Sequence, residues 1–116
     1  LIKNNIIYLY MIRFGLIGDN HNLMKLTTRH LIYKHKFSNY NHNNLSTLGL
    51  YVYPFVNSQE KYIKLKNLNF IFISLDNDND SHNIPYDYKI DINQNLHKIL
   101  FDLDNIIDKH IFNELV

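Results

Sequence analysis

At 116 residues and 14.0 kDa, with 46% apolar and 14% aromatic residues, the chain is a single domain able to bury a core, neither a multi-domain enzyme nor a wholly disordered polypeptide. It has no cysteine, which removes disulfides, thiolate catalysis and cysteine metal sites, and no run of about eighteen uncharged apolar residues that would make an ordinary membrane-spanning helix. The net charge of +1 conceals a division: residues 1–75 carry nine Lys and Arg against Asp19 and Glu60, and residues 76–116 carry three Lys against eight Asp and Glu114.

In chain order, Ile6 to Ile17 reads as a strand, rich in Ile and Tyr and long enough to lie centrally with both faces covered. Gly18-Asp19-Asn20 breaks it, and Asn20 or Asn22 can cap a helix from about Asn22 to Phe37. On that helix Leu23, Leu26, His30 and Phe37 share one side. Lys25, Arg29 and Lys36 lie nearly opposite, and Ile32 falls on their side. Ser38 to Asn44 reads as a polar loop. Thr47 to Pro54 alternates, with Leu48, Leu50 and Val52 against Tyr51 and Tyr53, as a half-buried strand ended by proline.

After a turn over Phe55 to Glu60, Lys61 to Leu75 reads as a long strand whose apolar face switches once, so a bulge near Lys66-Asn67 is expected. These two strands are expected to pair as an antiparallel hairpin. Asp76 to Tyr88 has no periodicity and reads as a loop. From Asn95, the set Leu96, Ile99, Leu100, Leu103 and Ile107 makes a helical stripe, and Lys109 to Val116 is either a short last strand or the helix's continuation. The order β-α-β-β-α-β is the ferredoxin-like plan of an α+β domain, a four-stranded sheet with two helices on one face and a projecting β-hairpin.

Asn (18), Ile (16), Tyr (9), Phe (7) and Lys (10) supply 60 of the 116 residues, and Ala is absent. The favoured residues have codons rich in A and T, so motifs must be read leniently. Leu1 in place of Met suggests processing or a non-standard start codon, and both features fit an organelle genome; no import sequence is visible near the start. A polyanion would settle on the first two-thirds of such a chain and be repelled by the last third.

Parts for catalysis are scarce. The seven His stand at 21, 30, 35, 42, 82, 97 and 110, with no pair at the i, i+4 spacing that sets two imidazoles on one helical face, and His30 reads as a partly buried helix residue. Asp76, Asp78 and Asp80 have the first spacing of a calcium loop, but Ser81 stands where Gly is needed and Asp87 replaces the closing Glu, so a solvated acidic loop is the better reading. Gly15 to His21 faintly resembles the opening of a metallophosphoesterase, whose further ligands the chain does not supply. Three glycines make no phosphate loop or nucleophile elbow. The expectation is therefore no catalytic site, no metal and no cofactor.

Tyr53-Pro54-Phe55-Val56-Asn57-Ser58-Gln59-Glu60-Lys61-Tyr62 resembles the hairpin of the small-subunit ribosomal protein S-ten family. There a strand ends in Pro with His or Phe, a short basic tip follows, and Ser-x-Glu-x-Phe opens a long strand. Met11-Ile12-Arg13-Phe14 running to Asn20-His21 is similar to the family's opening strand and Phe-Asp-His turn, and Asn22–Phe37 to its first helix. Asn93-Gln94-Asn95 before Leu96 is similar to its Asn-Pro-Asn stretch. The chain departs from the family in lacking the Gly-Pro-x-Pro-x-Pro segment, in keeping only Lys61 at the tip, and in inserting Asp76–Tyr88.

The resemblance implies a divergent mitochondrial member, with a plastid origin less favoured. Such a protein is a non-enzymatic part of the small-subunit head in the mitochondrial matrix. It would bind small-subunit rRNA and touch small-subunit proteins three, nine and fourteen, with no membrane contact and no homo-oligomer. The residues suggest the means. Lys25, Arg29 and Lys36 form a basic helix face suited to phosphates. Lys61, Lys64 and Lys66 recur along the expected hairpin, and Asn57, Ser58 and Gln59 at its tip can donate to backbone or 2′-hydroxyl oxygens. Tyr51 and Tyr53 could stack on a base, packing on a neighbouring protein being favoured. Two other functions stand beside this one: a matrix-side accessory subunit of a respiratory complex with no RNA contact, and a small metal-dependent phosphoesterase built on Asp19.

Overall fold

The structure, a computed structural model, describes residues 10–41, 48–77 and 83–115. Its elements follow as β1 (Tyr10–Ile17), α1 (His21–Asn41), β2 (Leu48–Val56), α2 (Gln59–Lys66), β3 (Ile71–Ser74), β4 (Tyr88–Lys89) and α3 (Leu96–Leu115). One sheet holds the four strands in the order β2-β1-β3-β4, and every neighbouring pair is parallel. Parallel neighbours need a crossover and not a tight turn. α1 carries the chain from β1 to β2, and α2 returns it past β1 to β3.

β1 is central because it is apolar toward both faces, as its length and composition predict. Ile12, Phe14 and Leu16 point to one side, where they join Met24 and Leu31 of α1, Ile73 of β3, and Ile99, Leu103 and Ile107 of α3 in the larger core. Ile17 points to the other side, into a smaller core with Val56, Leu65, Phe72 and Ile84. Gly15 also faces that side; a Cβ there would lie 2.9 Å from the Phe72 ring, so the ring takes the space a side chain would fill. α1 and α3 are stitched together by His30 Nε2 against Asp104 Oδ1 at 2.6 Å and by Lys34 against Asp108 at 3.6 Å.

The turn after β1 is set by local chemistry. Gly18 takes φ +149°, where a Cβ would lie 2.8 Å from Met24 Cε and 3.2 Å from the Leu75 carbonyl oxygen. Asn20 then caps α1, its Oδ1 accepting the Leu23 N–H at 3.0 Å. The helix continues through residues 38–41, where composition predicts a loop, because extending a nucleated helix adds one hydrogen bond for each residue fixed. The rest of that expected loop, 42–47, and strand residues 6–9 lie outside the described residues.

A mixed α and β domain with one four-stranded sheet and two long helices packed on one face is what the sequence predicts and what the chain forms. The projecting antiparallel hairpin is corrected. β2 does not end at Pro54, because an outer strand tolerates a missing N–H. It runs on through a bulge in which Gly15 pairs with Tyr53 and Ile17 with Val56, with Phe55 at φ +62°. The extra residue turns Phe55 toward the larger core, its ring 5.7 Å from that of His21, and Val56 toward the smaller one.

Lys61 to Leu75 is likewise not one strand. Ser58 caps α2 by accepting the Lys61 N–H at 3.2 Å, with Glu60 in the first turn and Lys64 and Lys66 in the last, each on the side the helix dipole favours. Tyr62 and Leu65, three apart, turn inward, and Ile63, half of the alternation that suggested a strand, is 57% exposed. Asn69 at φ +60° follows the helix end, so the expected bulge near Lys66-Asn67 is a helix terminus. The fourth strand is Tyr88–Lys89, at the end of the stretch read as a loop, and Lys109 onward continues α3. Residues 78–82, with Asp78 and Asp80, lie outside the described residues.

Candidate nucleic-acid interface

α1 presents its basic side chains in two sets. His30 and Lys34 meet Asp104 and Asp108, so carboxylates of the acidic last third are drawn into the α1–α3 seam. Lys25, Arg29 and Lys36 lie on another side, all exposed, and no ion pair engages them among the described residues. Tyr33 at 72% exposure, Ile32 and Leu26 flank them. Leu26 is a departure from the expected apolar side. The face turned to the core is Met24, Thr27, Leu31 and His35, because α1 leans on β2 as well as on α3.

The set expected at a hairpin tip divides. Lys61 Nζ donates to the Phe55 carbonyl at 3.2 Å and to Asn57 Oδ1 at 3.0 Å, and the Asn57 amide donates to Asp19 Oδ1 at 2.8 Å. Asn57 and Lys61 therefore tie the end of β2 to the turn after β1, and Ser58 is occupied as a cap. Lys64 and Lys66 remain exposed on α2, with Lys66 Nζ 5.8 Å from the centre of the Tyr62 ring.

A third group lies on the sheet face beside α2, where sequence reasoning named Tyr51 and Tyr53 as able to stack but missed Arg13 and Phe70 beside them. Tyr51 is 51% exposed, and its ring meets Phe70 edge-on at 5.9 Å. Arg13 is opposite Tyr51 in the β1–β2 register. The signal was present as matching parity, since Met11 and Arg13 alternate with buried Ile12 and Phe14 just as Tyr51 and Tyr53 alternate with Leu50 and Val52.

The carboxyl edge of the sheet is the usual ligand position where strand order reverses, as it does at β1. A cleft of about 210 Å³ opens there between Ile17, Ser74, Asp76, Tyr86 and Lys89. Among the described residues no three His, Asp or Glu come together to hold a metal ion. His110 shares a 3.0 Å hydrogen bond with the Tyr88 hydroxyl, and half-buried His30 sits on Asp104, as partly buried helix residues do.

No described helix is long and apolar enough to cross a membrane. Comparison with models of known protein families, with curated proteins and with solved structures finds no match.

Proposed function

We propose that the chain is a non-enzymatic, RNA-binding structural constituent of the small subunit of an organellar ribosome, in a mitochondrion before a plastid. The observation that carries this reading is the Lys25–Arg29–Lys36 stripe, which α1 holds over about 16 Å of its length at 1.5 Å per residue, turned away from the carboxylates of α3. A rigid row of unengaged cations supplies phosphate contacts that position RNA without reading its sequence. The resemblance to the S-ten family names the particle and, as partners, rRNA with small-subunit proteins three, nine and fourteen. The residues of its hairpin motif form the end of β2 and the start of α2, so support comes from charge placement and not from that motif.

The test uses the intact chain with Lys25→Gln, Arg29→Gln and Lys36→Gln combined. Loss of three phosphate contacts should flatten the plot of log affinity for small-subunit rRNA against log salt by about 2. Thermal melting should not move, because the three side chains are exposed. An unchanged slope removes this helix from the interface. Exposed Ile32 and Tyr33 beside the cations favour a second reading, a protein-docking accessory subunit of a respiratory complex with no RNA contact. Recovery with a detergent-solubilised membrane complex free of rRNA, in place of co-sedimentation with small subunits, would select it.

A further inference from the structure

We infer that the open half of the sheet face beside α2 is a stacking platform for unpaired RNA bases, an inference that rests on the RNA-binding reading above. α2 has eight residues and spans about 12 Å, whereas β1, also of eight, spans about 26 Å. Among the described residues this one short helix, with Ile84 beside it, therefore covers about half of that face. Its contacts lie toward the carboxyl half, where Ile17, Val56 and Phe72 are buried with Leu65. Toward the amino half, Met11 is 36% and Tyr51 51% exposed.

A row of rings leads from the half covered by α2 out to the open half. Tyr51 meets Phe70 at 5.9 Å and 86°, Phe70 meets Phe72 at 6.4 Å, and Phe72 meets Tyr62 at 5.0 Å. The row is anchored at its buried end by Phe72 and ends at Tyr51 in solvent. A cation stands at each end. Lys66 lies over Tyr62, and Arg13 is opposite Tyr51 with its guanidinium in no hydrogen bond or ion pair among the described residues. Rings already held by neighbours lose little freedom on binding, and every base has a π face for them. The flanking cations select an anionic strand over an apolar protein segment. A duplex hides its base faces, so the ligand is single-stranded.

The chain contains no Trp, so Tyr51→Trp installs one reporter at the platform. A single-stranded oligouridine of about twelve nucleotides should quench it, and a duplex of equal length should not. Tyr51→Ala, and separately Phe70→Leu with Arg13→Gln, should weaken single-strand binding about tenfold while leaving duplex binding through the α1 stripe in place. Melting curves of each variant establish that it folds. Absence of quenching with unaltered single-strand affinity overturns the platform; if the α1 variant still loses its salt slope, the RNA-binding function stands without it. Failure of the intact chain to bind either RNA overturns both. If the face variants keep single-strand affinity but lose a neighbouring protein in the small subunit, the face is a protein dock and the inference falls.

Discussion

The face of the sheet under α1 and α3 and the face under α2 share β1 and β3 but differ in how they are closed. On the first, helices of 21 and 20 residues lie side by side and leave Phe14, Leu16, Ile73 and Leu103 fully buried. On the second, among the described residues, a single helix of eight residues buries Ile17, Val56 and Phe72 but leaves Tyr51 more than half exposed. Simple widths explain the contrast. Strands lie about 4.8 Å apart and a helix is about 10 Å across, so each helix covers roughly two strands. Two helices close a four-stranded face and one cannot. Stability therefore resides mainly in one face, and the other is free to meet a partner.

That division can be broken most forcefully at β1. Phe14→Ala removes a fully buried ring between α1 and α3, and it should cost about 3–5 kcal/mol, read as a shifted denaturation midpoint with little change in slope. A loss under about 1 kcal/mol would mean that the two-helix face does not carry the fold. Gly18→Ala comes next, at about 1–3 kcal/mol, because both its φ of +149° and the 2.8 Å approach of Met24 Cε oppose a side chain. Since Gly18 joins β1 to α1, its loss should loosen the two-helix face first, measured as faster amide exchange in α1 than in α2.

Much of this architecture was legible in the sequence, and the reasons differ by element. The apolar run of β1, interrupted only by Arg13 and Gly15, and the Ile99, Leu103, Ile107 stripe of α3 could be read directly as a central strand and a helix. Residues 59–75 fit two periods. Ile63 and Leu65 alternate like a strand, and Tyr62 and Leu65 recur like a helix. The decision falls to Ser58, whose capping hydroxyl also matches the Ser-x-Glu-x-Tyr of the hairpin motif. The parallel pairing was hidden because α2, the crossover between β2 and β3, was read as strand, and β4 was hidden because it is two residues long within a polar stretch, too short to show any period. Of the candidate interface, Lys25, Arg29 and Lys36 were readable from helical spacing alone. Withdrawal of Asn57 into contact with both Lys61 and Asp19 depends on β1 and β2 being parallel neighbours, which no local pattern encodes.

The helix in place of a hairpin gives a sharper comparison. Ser58→Ala removes the cap of α2 and should cost about 1 kcal/mol, with the loss confined to the smaller core. Were residues 59–66 the second arm of a hairpin, the same change at a solvated turn would be nearly neutral, within about 0.5 kcal/mol. Equilibrium unfolding distinguishes the two. Ser58→Asp, which keeps an oxygen acceptor at the cap and adds a charge that the helix N-terminus favours, should restore the lost stability.

The smallest expected effect bears most directly on the open face. Tyr51→Ala should change stability by no more than about 0.5 kcal/mol, because the ring is half in solvent and its one described ring contact is the edge of Phe70. Tyr53, two residues on and packed against the smaller core, is the control on the same strand and the same side. Its replacement by Ala should cost more than 1 kcal/mol, as deletion of an inward-packed aromatic does. A large loss at Tyr51 in the isolated chain would mean that this half of the sheet is closed by the chain itself. A small loss at Tyr51 beside a large one at Tyr53 places the limit of the folded core between two tyrosines on one strand, with the outer one left for a partner.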